Sequence, residues 1–166
     1  MRRVLVTGGA GFIGSHFIRI LLAEEADAQV VNLDVLTYAG NLANLADVAS
    51  SPRYRFVRGD IRDMKVAQEL AADADWIVNF AAESHVDRST KARAGEFIDT
   101  NVYGAYVMLE ATRQVNRGAR FLQVGTDEVY GDVPFPEFPT EQAMLAPSSP
   151  YSAAKAGADH IALAFQ

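Results

Sequence analysis

The chain of 166 residues has no cysteine, which excludes disulfides, thiolate zinc sites and cysteine nucleophiles at once. A reducing compartment is permitted, and the cytosol is the expected location. Basic charge is also short: 15 Lys and Arg stand against 21 Asp and Glu, a formal net charge of -6. Nucleic acids and anionic membranes call for a broad basic footprint, so neither is an expected partner. No apolar run approaches the roughly 20 residues of a membrane span. The early apolar stretch is cut by Gly8, Gly9, Gly11 and Gly14 and has no signal-peptide pattern. What remains, 49% hydrophobic and 22% charged residues, is the composition of a soluble globular domain with one substantial core.

Short apolar runs at residues 4–7, 30–34, 54–58, 76–81 and 121–125 predict five strands, several too apolar to be half-exposed. Helix-compatible spacing over 12–25, 63–72 and 95–116 falls between them. The order is repeated β-α-β, and the expected fold class is α/β, a doubly wound parallel sheet of the Rossmann type, over residues 1–166. Two stretches read as loops: 36–52, rich in Asn, Ala and Ser, and 132–150, which holds all but one of the six prolines. Residues 151–166 read as an Ala-rich helix with no stop signal after it, so truncation before further strands and a substrate-binding part is expected.

Thr7-Gly8-Gly9-Ala10-Gly11-Phe12-Ile13-Gly14 follows the first strand and opens the first helix. Glycines at that junction permit a tight turn and let a pyrophosphate approach the backbone, where free N–H groups and the positive helix end stabilise its charge. The second strand ends at Asp34, about 20 residues beyond Gly14, where a dinucleotide fold places the carboxylate that accepts the adenosine ribose hydroxyls. An acid there disfavours a ribose phosphate, so the expected cofactor is NAD. Asp60 and Ile61, after the third strand, are placed to meet the adenine edge.

Tyr151 and Lys155 stand at i and i+4, one turn apart on one helix face. A nearby cation favours the phenolate and makes Tyr151 a base for an alcohol proton, although such a pair also merely stabilises helix surfaces. Asp127 and Glu128 follow the fifth strand, and ligand crevices in open α/β sheets lie at the carboxyl ends of strands. They suit a division of acid and base work, or else form a solvated acidic turn. His16, His85 and His160 have no metal-ligand spacing, and no metal is expected.

The segments TGGAGFIGSHF, LDVLTYAGNLANL, GDIRD, AAESHVDRS, TNVYG, TDEVYGD and PSSPYSAAKAGADH cover nearly the whole chain. In this order they resemble the N-terminal portion of the dTDP-glucose 4,6-dehydratases, members of the extended short-chain dehydrogenase/reductases. The glycine loop and the Tyr-Lys pair belong broadly to the extended reductases; AAESHVDRS together with Asp127-Glu128 is narrower.

The resemblance implies that Tyr151, assisted by Lys155 and Thr126, takes the proton of the glucose 4-hydroxyl while NAD is reduced at C4's expense. Glu128 then removes the C5 proton, Asp127 protonates the departing 6-hydroxyl, and the stored hydride returns at C6. It further implies that Gly8, Gly11, Phe12, Ile13, Gly14, Asp34, Thr37, Asp60, Ile61, Ala81, Ala82, Thr100, Tyr151 and Lys155 line NAD. Ser84 and Thr126 approach the sugar, and His85 and Asp87 shape that loop. A homodimer is implied for the full-length protein, packed through the helices of 95–116 and 151–166.

Two residues depart from the family pattern: Gly125 stands where Ser is more usual, and Thr90 where an apolar residue is. Three readings stay open. They are an active dehydratase completed by further residues, another extended reductase such as a UDP-sugar epimerase or decarboxylase, and a noncatalytic NAD-binding module.

Overall fold

The computed structural model of the chain describes residues 2–84, 94–134, 136 and 138–166. Its order is β1 (Arg2–Thr7), α1 (Phe12–Glu24), β2 (Ala28–Asp34), β3 (Tyr54–Arg58), α2 (Met64–Ala71) and β4 (Trp76–Asn79), followed by α3 (Ala94–Phe97). A π-helical segment, Ile98–Gly104, leads into α4 (Ala105–Val115), and β5 (Arg120–Gln123) and α5 (Pro150–Ala164) complete the chain. All four strand pairings are parallel, in the order β3-β2-β1-β4-β5, so the expected doubly wound sheet is present.

The described residues cluster into two compact units, where length alone implies one domain. The first comprises the described residues of 1–81 and 107–124; the second, those of 82–106 and 125–166. The division follows the connectivity. The chain leaves the sheet after β4 and again after β5, and among the described residues the strands lie in the first unit.

In the first unit, alternation along each strand sends side chains to two faces. Leu5, Leu33 and Ile77 meet Ala67 and Ala71 of α2 and Val107, Met108 and Ala111 of α4 on one face. Val4, Val6, Val30 and Val78 meet Ile18 and Leu22 of α1 on the other. Both faces are covered, which is why these strands read as nearly continuous apolar runs. Each fully buried side chain of this size contributes about 1.5–3 kcal/mol.

Helix ends are satisfied by side chains from adjacent and from distant sequence. Asp63 caps α2 by accepting from the N–H groups of Lys65 and Val66. Arg53 closes the end of α1, donating to the carbonyl oxygens of Leu22 at 2.6 Å and Glu25 at 2.9 Å.

In the second unit, α5 packs against α3, the π-helical segment and a 3-10 turn, Asp127–Tyr130. Among the described residues, Phe97, Ala105, Val129, Ala154, Ala156 and Ala158 are its buried apolar residues.

Several boundaries and contents differ from the sequence reading. β4 ends at Asn79 and β5 at Gln123, each two residues early, with one further inter-strand backbone bond beyond each end, from the Phe80 N–H to the Thr7 carbonyl and from the Val124 N–H to the Asn79 carbonyl. The helix expected over 95–116 contains the π-helical segment, and the loop expected over 36–52 contains a 3-10 turn, Leu42–Leu45. Among the described residues no helix is long and apolar enough to cross a membrane.

Candidate functional site

Gly8 has φ +67°, and a Cβ there would stand 2.7 Å from the Ala81 nitrogen. A side chain is therefore excluded both by backbone conformation and by space. A Cβ on Gly14 would meet the Gly8 carbonyl oxygen at 2.5 Å, so this glycine lets α1 close onto the loop. Gly11 is different. The nearest atom to its would-be Cβ is the Gly8 oxygen at 3.2 Å, and no other atom beyond its chain neighbours stands within 4 Å among the described residues. The space above Gly11 is open, which fits the close approach of an outside group.

Among the described residues no side chain caps the α1 N-terminus, and its first turn has no acidic residue. Its first two side chains, Phe12 and Ile13, are 78% and 64% exposed, unusual for large apolar groups beside a glycine loop. An uncapped, positive helix end over a glycine cradle fits a dinucleotide pyrophosphate.

Asp34 is buried, and its carboxylate ties two loops together. It accepts from the Ala10 N–H at 2.9 Å and from the Leu36 N–H at 2.8 Å. Leu36 pays for the second bond with a left-handed backbone, φ 60°. Each carboxylate oxygen retains acceptor capacity beyond these bonds. Thr37 follows on this loop and is exposed.

Asp60 and Ile61 occupy different surroundings. The Asp60 carboxylate grips the Arg62 guanidinium, with Nη2 to Oδ2 at 2.6 Å, and the Ile61 side chain is in the core. The Arg62 hydrogen bond holds the Asp60 carboxyl below the usual aspartate range, against a smaller opposing effect of burial. A lowered folded value contributes stability that is complete above the unfolded value, about 3.9, and lost as pH falls through the lowered one. Both groups are partly exposed, so the contribution stays under about 1 kcal/mol. Asp60→Asn is expected to lower the urea midpoint slightly at neutral pH, with the gap closing below about pH 4. A gap that persists unchanged at low pH would refute the ion pair as its source.

A polar ladder crosses the carboxyl ends of three strands. Thr7 Oγ1 donates to Asn79 Oδ1, and Asn79 Nδ2 donates to Gln123 Oε1 at 2.8 Å. The Ala81 N–H donates to Thr7 Oγ1 at 3.2 Å, which fixes the backbone facing Gly8. These three side chains were not singled out from sequence, because Thr, Asn and Gln at strand ends carry no pattern. An open hollow of about 700 Å³ among Arg2, Arg3, Trp76, Asn116 and Arg120 lies at the opposite, amino ends of the strands, away from the glycine loop.

In the second unit, Ser149 and Ser152 form a reciprocal capping box at the start of α5, with Pro150 at the first helical position. This fixes Tyr151 in the first turn, where the helix end favours negative charge. The Tyr151 ring meets the buried Phe97 ring edge-on, centroids 6.2 Å apart. Lys155, one turn later, is 5% exposed. Burial pushes its ammonium below the ordinary lysine value, and the charge of Asp159 opposes that shift. Burial raises Asp159 in turn, opposed by Lys155 and His160.

Thr126 caps the Asp127–Tyr130 turn, accepting from the Glu128 N–H at 3.4 Å, and its hydroxyl donates to Asp127 Oδ1 at 3.4 Å. Asp127 and Glu128 are both exposed, while Val129 anchors the turn. Thr126, Asp127, Glu128, Tyr151 and Lys155 thus all belong to the second unit, as do Ala82, Ser84 and Thr100.

Asn101, 3% exposed, uses both ends of its amide on one residue. It accepts from the Glu83 N–H at 2.8 Å and donates to the Glu83 carbonyl at 3.0 Å, pinning the backbone next to Ser84. Its role was missed because the π-helical segment that aims it reads as ordinary helix. His85, Asp87 and Thr90 lie outside the described residues.

The chain is similar to known proteins along nearly its whole length. The chain is 55% identical over 163 residues to the low-salt glycan biosynthesis protein Agl12 of Haloferax volcanii, covering 98% of this chain and 51% of that protein. It is 49% identical to the dTDP-glucose 4,6-dehydratase of Streptomyces niveus, covering 98% of this chain and 49% of that enzyme. Among solved structures it superposes on DesIV, the dTDP-glucose 4,6-dehydratase of Streptomyces venezuelae crystallised with NAD. The TM-score is 0.92 at 52% identity, over 98% of this chain and 51% of that one. The chain spans about half the length of the relatives it matches. These likenesses bear out the resemblance to an N-terminal dehydratase portion. A family model, GDP-mannose 4,6 dehydratase, matches residues 5–166, and the chain belongs to that family.

Proposed function

We propose that this chain is the cofactor-binding and acid-base portion of an NAD-dependent dTDP-glucose 4,6-dehydratase. The carrying observation is that one compact unit holds both the Tyr151-Lys155 helix and the Asp127-Glu128 turn. Epimerisation or decarboxylation needs the first group, whereas eliminating water from neighbouring carbons also needs a proton acceptor and a donor. The NAD-bound DesIV neighbour and the dehydratase relatives support the same reading.

Gly8, Gly11, Phe12, Ile13 and Gly14 would hold the pyrophosphate, and Asp34 and Thr37 the adenosine ribose. Asp60, Ile61, Ala81, Ala82, Thr100, Tyr151 and Lys155 are the remaining residues assigned to NAD. When bound, NAD supplies a reversible hydride acceptor, which opens the route through a 4-keto sugar. Tyr151 takes the 4-hydroxyl proton, with the Lys155 charge favouring its phenolate and Thr126 hydrogen-bonding the same oxygen. The ketone acidifies the C5 hydrogen, which Glu128 removes. Asp127 gives a proton to the 6-hydroxyl, which leaves as water. Ser84 binds the sugar on the loop pinned by Asn101.

The test is incubation of the full-length protein with NAD and dTDP-glucose, followed by mass spectrometry of the sugar nucleotide. Loss of one water supports the reading. A change of configuration without mass loss, or release of carbon dioxide from a UDP-sugar, replaces it with the corresponding epimerase or decarboxylase. NAD binding without any chemistry leaves a binding module.

A homodimer and a cytosolic location complete the proposal. Ile98, Tyr103 and Leu163, on the π-helical segment and α5, are 55%, 51% and 60% exposed, and apolar surface of this kind supports burial against a second copy. Sedimentation equilibrium of the full-length protein is expected at twice the chain mass; a monomer at micromolar concentration rejects the dimer.

A further inference from the structure

Lys155 is 5% exposed, yet the proposed chemistry needs its ammonium charged. A buried cation loses its proton easily unless an opposite charge holds it. Asp159 lies one turn further along α5, on the same face as Lys155. Both of its oxygens lie against Gly125: a Cβ there would meet Oδ2 at 3.3 Å and Oδ1 at 3.5 Å. The carboxylate thus sits between the helix that bears Lys155 and the residue preceding Thr126. A side chain at residue 125 would crowd the carboxylate, and glycine leaves that space free.

Several charged or titratable groups lie on the described elements packed against α5. They are Glu96 on α3, Asp99 and Tyr103 on the π-helical segment, and Asp127, Glu128 and Tyr130 on the 3-10 turn. On α5 itself are Tyr151, Asp159 and His160. Asp159 is the carboxylate whose charge supports the Lys155 ammonium, and His160 supports the charge of Asp159.

We propose that Asp159 is a positioning residue, whose carboxylate keeps the buried Lys155 ammonium charged beside Tyr151 in the space that Gly125 leaves free. This rests on the reading of Tyr151 and Lys155 as the acid-base pair. Asp159 touches no substrate atom; it acts through Lys155. Without the carboxylate, Lys155 releases its proton at lower pH, and the alkaline limb of the C4-oxidation rate moves to lower pH with it.

The experiment titrates Lys155 by NMR of isotope-labelled lysine in the full-length protein, assigned with Lys155→Arg, and records the pH profile of C4 oxidation alongside. Asp159→Asn is expected to lower both the Lys155 titration and the alkaline limb by about one pH unit or more. Asp159→Glu, which keeps the charge, is expected to return both most of the way. A merely structural role lowers the amplitude of the rate and leaves its pH dependence in place. If Asp159→Asn does not fold, Asp159→Glu and Asp159→Gln, equal in size, make the same comparison. Titrations that coincide across the series overturn the proposal. The Lys155 titration needs no turnover, so it decides the role of Asp159 even if the wild-type protein fails to dehydrate dTDP-glucose.

Discussion

Tyr151→Phe is expected to slow C4 oxidation by roughly 10²–10⁴-fold, the usual cost of deleting a positioned acid-base group. The substitution removes one oxygen and keeps the ring, so the edge-on contact with Phe97 at 6.2 Å survives. The capping box of Ser149 and Ser152 lies outside the change, and α5 should start at the same residue. The circular dichroism spectrum is therefore expected to stay close to wild type. The measurement is a single-turnover mixing experiment that follows the near-ultraviolet absorbance of the reduced cofactor. A rate within tenfold of wild type would remove Tyr151 from the role of base. A large rate loss with a collapsed spectrum would show that the hydroxyl serves the fold.

Asp127→Asn is expected to separate the two halves of the reaction, slowing loss of water by about 10²-fold or more while C4 oxidation proceeds. The amide keeps the size of the carboxylate and an oxygen at the place where the Thr126 hydroxyl donates across 3.4 Å. Val129 continues to anchor the turn, so geometry is conserved and only proton donation is lost. Mass spectrometry of a quenched turnover should show a sugar nucleotide lighter by two hydrogens, accumulating ahead of any product lighter by one water. Equal slowing of oxidation and elimination would reject Asp127 as the acid.

Much of the architecture was legible because the physics that shapes it is local. The five strands sit on two covered faces, so runs such as Val4, Leu5 and Val6 appear in the chain as uninterrupted apolar segments. The glycine loop declares itself because φ +67° at Gly8 and the contact at Gly14 each tolerate little else. Tyr151 and Lys155 were readable as a pair because the helical period alone brings residues four apart onto one face.

Other features were not legible, and each has a reason. A π-helical turn differs from an α-helical turn by about one residue, so over Ile98–Gly104 periodicity cannot separate them. The Asp34 carboxylate was expected on ribose hydroxyls, and that it also fastens Ala10 and Leu36 depends on where two loops return. Asp60 was readable as a strand-end acid, but its grip on Arg62 required the turn between them to close.

By itself, then, the sequence determined the elements, the parallel sheet, the glycine loop and the Tyr-Lys spacing, since each follows from backbone stereochemistry or burial within a few residues. Tertiary structure alone decided the strand order β3-β2-β1-β4-β5, the Thr7-Asn79-Gln123 ladder, the clamp of Asn101 on Glu83 and the placing of Asp159 against Gly125. Those are meetings between residues from about 18 to more than 70 positions apart, and a hydrogen bond or charge contact at such separation leaves no periodic trace in either partner's neighbourhood.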